Sequence, residues 1–163
     1  MFIFTPNTLI ESAKVNANFE DAINQVKHTN AYRVRLERNA AQSIPNASNT
    51  QIQYDKVVYD PSNGYNAGTY KYIVPADGIY IVNGCVNYNV PGDGKYHKIT
   101  YTINAEEHIL YHGNAGGPNS QYKNITDVIS LKKNDSVGFL AFQDSGSAKN
   151  ITAYLSIIFL CQV

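Results

Sequence analysis

The chain has 163 residues, which suits one domain with a short appendage. Hydrophobic residues make up 44%, enough for a full core, and 13 Lys+Arg balance 13 Asp+Glu. A neutral chain with no basic stripe lacks the field that phosphate recognition needs, which argues against a nucleic-acid partner. No stretch is long and apolar enough to predict membrane insertion.

The first element is helical. The run "NTLIESAKVNANFEDAINQVKH" (residues 7–28) opens on Asn7 as an N-cap, has acidic Glu11 near its start, and closes on Lys27 and His28. Val15, Phe19, Ala22 and Val26 follow a four-three-four spacing and form one stripe, which Ile23 widens. The stripe can pack on its own domain, or it can form a short stem against copies of itself; it is too short to predict a coiled coil from spacing alone. The opening residues have no basic region before an apolar core, so no secretory signal is predicted there. The composition divides the chain into a helical segment, residues 1–29, and a strand-rich domain, residues 30–163.

From Ala31 onward the period becomes two. "AYRVRLER" alternates Tyr32, Val34 and Leu36 with Arg33, Arg35 and Glu37. After the turn-rich "IPNASNT" come "TQIQYDKVVYD", "TYKYIV", "GIYIVNGCVNYNV", "KYHKITYTIN", "EHILYH", "ITDVISL", "DSVGFLAFQD" and "KNITAYLSIIFLC". The segments between them, such as "PSNGYNAG", "PADG", "PGDG" and "GNAGGPNS", have turn chemistry. Many short strands at even spacing predict an antiparallel sandwich or barrel. In "PADG", Pro75 cannot donate to a ladder, and Gly78 tolerates angles that other residues avoid. Tyrosine is the compositional outlier, 13 against 6 Phe, and suits half-buried sheets and binding surfaces. Cys85 and Cys161 each sit in an apolar run and read as buried free thiols.

The last strand is apolar on both faces. Ile151, Leu155, Ile157, Phe159 and Cys161 share one parity; Tyr154, Ile158 and Leu160 share the other. A sandwich normally wets one face of each sheet, so a second subunit is the simplest cover for the other. The first set is assigned to the core, and Tyr154, Ile158 and Leu160 to a subunit contact.

Tyr72-x-Val74-Pro75-x-Asp77-Gly78-Ile79-Tyr80 resembles the aromatic-x-Ala-Pro-x-Asp-Gly-Ile-Tyr signature of the complement one-q globular head, within the tumour necrosis factor-like superfamily. "IPNASNTQIQYDKVVYDPSNGYN" is similar to that family's Ile-Pro link and first paired strands. Val128 to Val137, "VISLKKNDSV", is similar to its Leu-x-Lys-Gly-Asp-x-Val hairpin, and "ITAYLSIIFL" to its closing strand. The sequence departs from the pattern where Asn134, Tyr70 and Ser156 stand at common glycine positions. The resemblance covers about residues 31–161. It implies an all-β, two-sheet antiparallel jelly roll behind a short helix, a homotrimer that binds partners through its loops, no catalysis and no cofactor.

The stretch "FTPNTLIESAKVNANFEDAINQV" resembles the openings of phage tail and fibre proteins. With a trimeric head, this implies a virion fibre or knob, attached to a virion protein by its N-terminus. Such a head recognises a host surface glycan or protein, or decorates the particle. The alternative is a bacterial surface or spore-coat adhesin with the same head.

Catalytic patterns are sparse. Glu106, His108 and His112 share one strand parity and are the nearest approach to a metal set, but no further ligand is fixed nearby. Asp77 and Asp135 sit in turns, where Asp bonds its own backbone. The glycine-rich loops lack a P-loop lysine, and there is no Gly-x-Ser-x-Gly elbow. No carboxylate pair supports a depolymerase. The loops richest in contact groups are residues 93–97, 114–123 and 144–150. Asp93, Tyr96, His97, Asn119, Tyr122 and Asp144 are the candidate ligand contacts, the tyrosines for stacking on sugar rings and the rest for hydrogen bonds.

Overall fold

The computed structural model describes residues 12–89, 95–114, 116 and 119–162. Helix α1 (Ser12–Ala31) leads into eleven strands among the described residues: β1 (Arg33–Ile44), β2 (Thr50–Gln51), β3 (Lys56–Tyr59), β4 (Tyr65–Asn66), β5 (Lys71–Ile73), β6 (Gly78–Tyr88), β7 (Tyr96–Ile103), β8 (Glu106–Asn114), β9 (Gln121–Leu131), β10 (Ser136–Gln143) and β11 (Lys149–Cys161). They form two antiparallel sheets. The first has the order β3-β1-β11-β6-β9; the second has β4-β5-β10-β7-β8, with β2 added to β10. This is the jelly roll that the sequence predicts.

The helix runs to Ala31, past the expected end at His28: residues 29–31, Thr-Asn-Ala, contain neither Gly nor Pro to stop it. The expected cap Asn7 and the early Glu11 lie outside the described residues. No helix among the described residues is long and apolar enough to cross a membrane.

The core fills the space between the inner faces of the two sheets. Leu36, Leu155, Ile157 and Phe159 from the first meet Ile99, Val137 and Phe139 from the second. The tyrosines are core residues more than surface ones: Tyr72, Tyr80 and Tyr88 are fully buried. Each meets its hydroxyl requirement locally. Tyr80 donates to the Ala76 carbonyl at 2.7 Å, Tyr88 donates to the Lys98 carbonyl at 2.8 Å, and Tyr72 lies 3.0 Å from the Ser62 hydroxyl. Burial pushes the Tyr72 phenol up to about 12.

The structure alters several sequence expectations. The run 50–59 is not one strand. It splits into β2 and β3, which lie in different sheets, and buried Ile52 and Tyr54 mark the crossing. Asp55 closes the crossing by accepting from the Asn39 and Ala40 backbone N–H groups at 3.0 and 2.9 Å. Part of the "PSNGYNAG" turn forms β4. Gly78 does not adopt a left-handed angle; it is needed for space, since a Cβ there would lie 2.4 Å from the Phe159 ring. Cys161 is exposed while Cys85 is buried, and both are free. The ladder slips between Phe159 and Cys161, so Cys161 pairs with outward-facing Ile79 and leaves the core parity.

The departures at glycine positions have physical reasons. Tyr70 and Asn134 both have left-handed backbones, φ 56° and 72°, the conformation glycine would supply. Ser156 is buried and accepts from Arg35 Nη1 at 3.1 Å.

Candidate functional site

Register fixes two ends of the head. The helix enters where Arg33 pairs with Ile158 and Gly78 with Leu131. At the opposite end Ile44 pairs with Lys149, Tyr88 with Gln121, and His97 with Gln143. The strand ends that bound the three contact-rich loops therefore all lie at the end distant from the helix.

The loops 93–97 and 144–150 are tied together through Tyr96 and Asp144. The Tyr96 backbone N–H donates to Asp144 Oδ1 at 2.7 Å, and the Asp144 N–H donates back to the Tyr96 carbonyl at 3.1 Å. The Tyr96 ring meets Phe142 edge-on at 5.8 Å. Gly146 N–H donates to Asn46 Oδ1, which joins the link after β1 to the same end. Asn119 and Tyr122 are exposed, Tyr122 at 68%. Asp93 lies outside the described residues.

His97 does not reach the surface. It is fully buried, between Tyr88 and Tyr111 with centroids at 5.0 and 5.4 Å, and its Nε2 has no partner. Burial holds the imidazole below its ordinary pKa. Its inward parity on β7, with Ile99 and Tyr101, corrects the expectation of a loop contact: the strand starts at Tyr96, and alternation from there turns His97 toward the core.

The Glu106, His108 and His112 set is divided. The ladder slips between Ile99 and Thr100, so His108 pairs with inward-facing Tyr101 and His112 with Lys98. His108 stacks on the Tyr101 ring at 4.9 Å. Among the described residues no group of three His, Cys, Asp or Glu is arranged to hold a metal ion.

The outer face of the first sheet carries the other candidates. Near the helix, Ile158, Ile81 and Val128 lie side by side across β11, β6 and β9, with Leu160 exposed at 42% and Val128 at 57%. Farther from the helix the face turns polar. Arg35 lies over the Tyr154 ring at 3.9 Å, and Glu37 lies 3.8 Å from Arg35 and 2.9 Å from Lys56 Nζ. The hydrogen bond from Lys56 holds the Glu37 carboxyl below its ordinary pKa. Arg38 pairs with Asp55 at 3.2 Å. Burial raises the Asp55 carboxyl, but the two backbone N–H groups and Arg38 outweigh it and hold it below its ordinary pKa. From sequence only Tyr154 in this polar half stands out, as a subunit contact. The signal for the rest was the alternation in "AYRVRLER", which sets Arg35 and Glu37 opposite the core face.

On the helix the stripe stands open: Phe19 is 65% exposed, Ile23 51% and Val26 61%, with Ala22 exposed and Val15 half-buried.

Two apposed antiparallel sheets in this order, with loops gathered at one end, define a jelly-roll head of the C1q and tumour necrosis factor type. The profile of the C1q domain matches residues 31–159, and the chain belongs to that family. No curated protein matches it by sequence. Among solved structures it is similar to the globular domain of zebrafish complement 1qA protein, at 13% identity and a TM-score of 0.63, over 81% of this chain and 99% of that one. It is similar to the vertex protein P5 of phage PRD1, at 14% identity and a TM-score of 0.62, over 80% and 98%. It is also similar to the Eiger TNF from S. frugiperda, at 10% identity and a TM-score of 0.56, over 81% and 94%.

Proposed function

We propose that the chain is a phage virion structural protein: a homotrimeric head that attaches to the particle through its N-terminal segment and recognises the host surface. The observation that carries this reading is the separation of surfaces. An open apolar helix stripe lies at one end of the head and the gathered polar loops lie at the other. Attachment by Val15, Phe19, Ala22 and Val26 leaves Tyr96, Asn119, Tyr122 and Asp144 facing outward. A vertex protein with the same fold supports a virion role.

Assembly uses the outer face of the first sheet. Tyr154, Ile158 and Leu160 contribute from β11, beside Ile81 and Val128. Large apolar side chains contiguous on one face favour a protein partner over water, and a closed threefold ring covers them in every copy. The head acts as a binding module and not as an enzyme.

The test is attachment. Phe19→Asp in the full chain should leave the head's circular dichroism unchanged and lower its co-sedimentation with particles from a lysate by about tenfold. A variant that sediments with particles as well as the parent contradicts attachment by this stripe. Unfolding of the head would mean the helix belongs to its core.

A further inference from the structure

The imidazole of His97 lies inside the head at its loop end, in the second residue of β7. Two phenol rings box it, Tyr88 from β6 and Tyr111 from β8. Its Nδ1 lies 3.4 Å from the Lys95 carbonyl, which places the ring proton on that nitrogen and leaves Nε2 as an acceptor. Nε2 is buried and has no partner. The neutral ring therefore leaves one acceptor unmet. The protonated ring would instead hold a second N–H aimed at no acceptor, and a charge in a dry box, which costs far more.

The charges around the box do not relieve it. Lys123 on β9 lies over the Tyr111 ring at 5.0 Å and repels a second cation. Asp144, just past β10, attracts one, but its Oδ1 is committed to the Tyr96 N–H. Lys95 offers only its carbonyl, at the long distance given above.

The bonds that hold loops 93–97 and 144–150 meet beside this ring. His97 pairs with Gln143 in the β7–β10 ladder. Gln143 is itself fully buried; it donates to the Ile44 and Ser147 carbonyls at 3.1 and 3.0 Å and accepts from the Ser145 N–H at 2.8 Å. The next pair outward is Tyr96 and Asp144, each bonded to the other. Moving His97 out of its box pulls the start of β7 away from the end of β10 and breaks these ties together.

We infer that His97 is a proton-operated latch for the loop end: neutral, it holds β7 and β10 closed there, and protonated, it leaves its box and frees Tyr96 from Asp144. The latch rests on the host-recognition reading for its use, since Tyr96 and Asp144 are proposed contacts, but not for its chemistry. Its size follows from linkage. In the open form the ring has its ordinary pKa of about 6.5, and in the closed form burial lowers it. Closure is therefore complete above that ordinary value and weakens as pH falls below it. The open population at about pH 5.5 should be about tenfold that at about pH 7.5.

The test is hydrogen exchange of the full chain at these two pH values, read by mass spectrometry and corrected for the intrinsic exchange rates. Amides of residues 96–98 and 143–145 should open about tenfold more often at the lower pH. They should also stay less protected than the β1–β11 amides near the helix, residues 33–38 and 153–158, because a latch opens locally. The parent comparison needs no variant. In His97→Phe, which keeps a ring but cannot titrate, the gain should vanish; His97→Gln serves the same purpose should the first variant not fold. Equal loop-end protection at both pH values overturns the latch, as does a gain that persists in a non-titrating variant. Loop-end amides that open only together with the β1–β11 amides also overturn it, since His97 would then act through whole-domain unfolding. Neither host nor particle is present, so a pH-dependent loop end in a chain that never binds a host defeats the recognition reading and leaves the latch standing.

Discussion

The two faces of β11 lie a side-chain length apart and have opposite fates. Leu155, Ile157 and Phe159 are at most 1% exposed, sealed against the second sheet. Tyr154 and Ile158 are half-buried and Leu160 is 42% exposed, although the sequence makes both faces apolar. Packing within one chain therefore accounts for one face and leaves the other open, which is the contrast behind the proposed assembly. The contrast also separates two kinds of failure: damage to the inner face should abolish the fold, and damage to the outer face should abolish association.

The strongest test of the inner face is Phe159→Arg. A charge among Tyr32, Tyr80 and the backbone at Gly78 has no partner, and costs about 3–5 kcal/mol. That is a large share of the roughly 5–15 kcal/mol that holds a domain together, so thermal melts should show loss of the β signal. Leu160→Arg should place an equal charge in a dry subunit contact, also at about 3–5 kcal/mol, but charged to association. Circular dichroism should stay β-rich while sedimentation falls to a monomer. A soluble Phe159→Arg monomer beside an unfolded Leu160→Arg would invert the assignment of faces.

A smaller effect distinguishes inner from outer positions on the second sheet. His97 is inward and its folded pKa is lowered by burial, so the unfolded chain takes up the proton more readily. Its contribution is complete above the unfolded value, about 6.5, and is lost as pH falls from there toward the folded value. The carboxyls of Glu37 and Asp55 act at lower pH, below their unfolded range near 4. The melting temperature should therefore drop between about pH 6.5 and 5 in the parent. The drop should be shallower in His97→Phe. The smallest effect is expected at Ser156→Gly on the outer face. Loss of the Arg35 bond should cost about 0.5–1.5 kcal/mol by denaturant melt, with no change in sedimentation.

The sequence made the architecture readable wherever period two ran unbroken. The alternation in β1 and β11 separated the core face from the outer one, and the "PADG" turn and the "LKKNDSV" hairpin fell where expected. It misled wherever the ladder slips. The irregularity opposite Thr100 divides the His108 and His112 pair, and the one after Phe159 turns Cys161 outward. A slip shifts every later side chain by one, and residue identity carries no mark of it. The split of residues 50–59 between two sheets was also hidden, because buried Ile52 and Tyr54 continue the apolar rhythm through a crossing. The gathering of three loop-bearing strand ends at one end of the head is a product of topology and has no local signature in the chain.

The central claim is that the outer face of the first sheet is covered by two further copies of the chain. Sedimentation equilibrium of the full chain at micromolar concentration tests it most directly. The account predicts a single species of three times the chain mass, reduced to the chain mass by Leu160→Arg without loss of β structure. A stable monomer in the parent, or a Leu160→Arg variant that still sediments as a trimer, would contradict it.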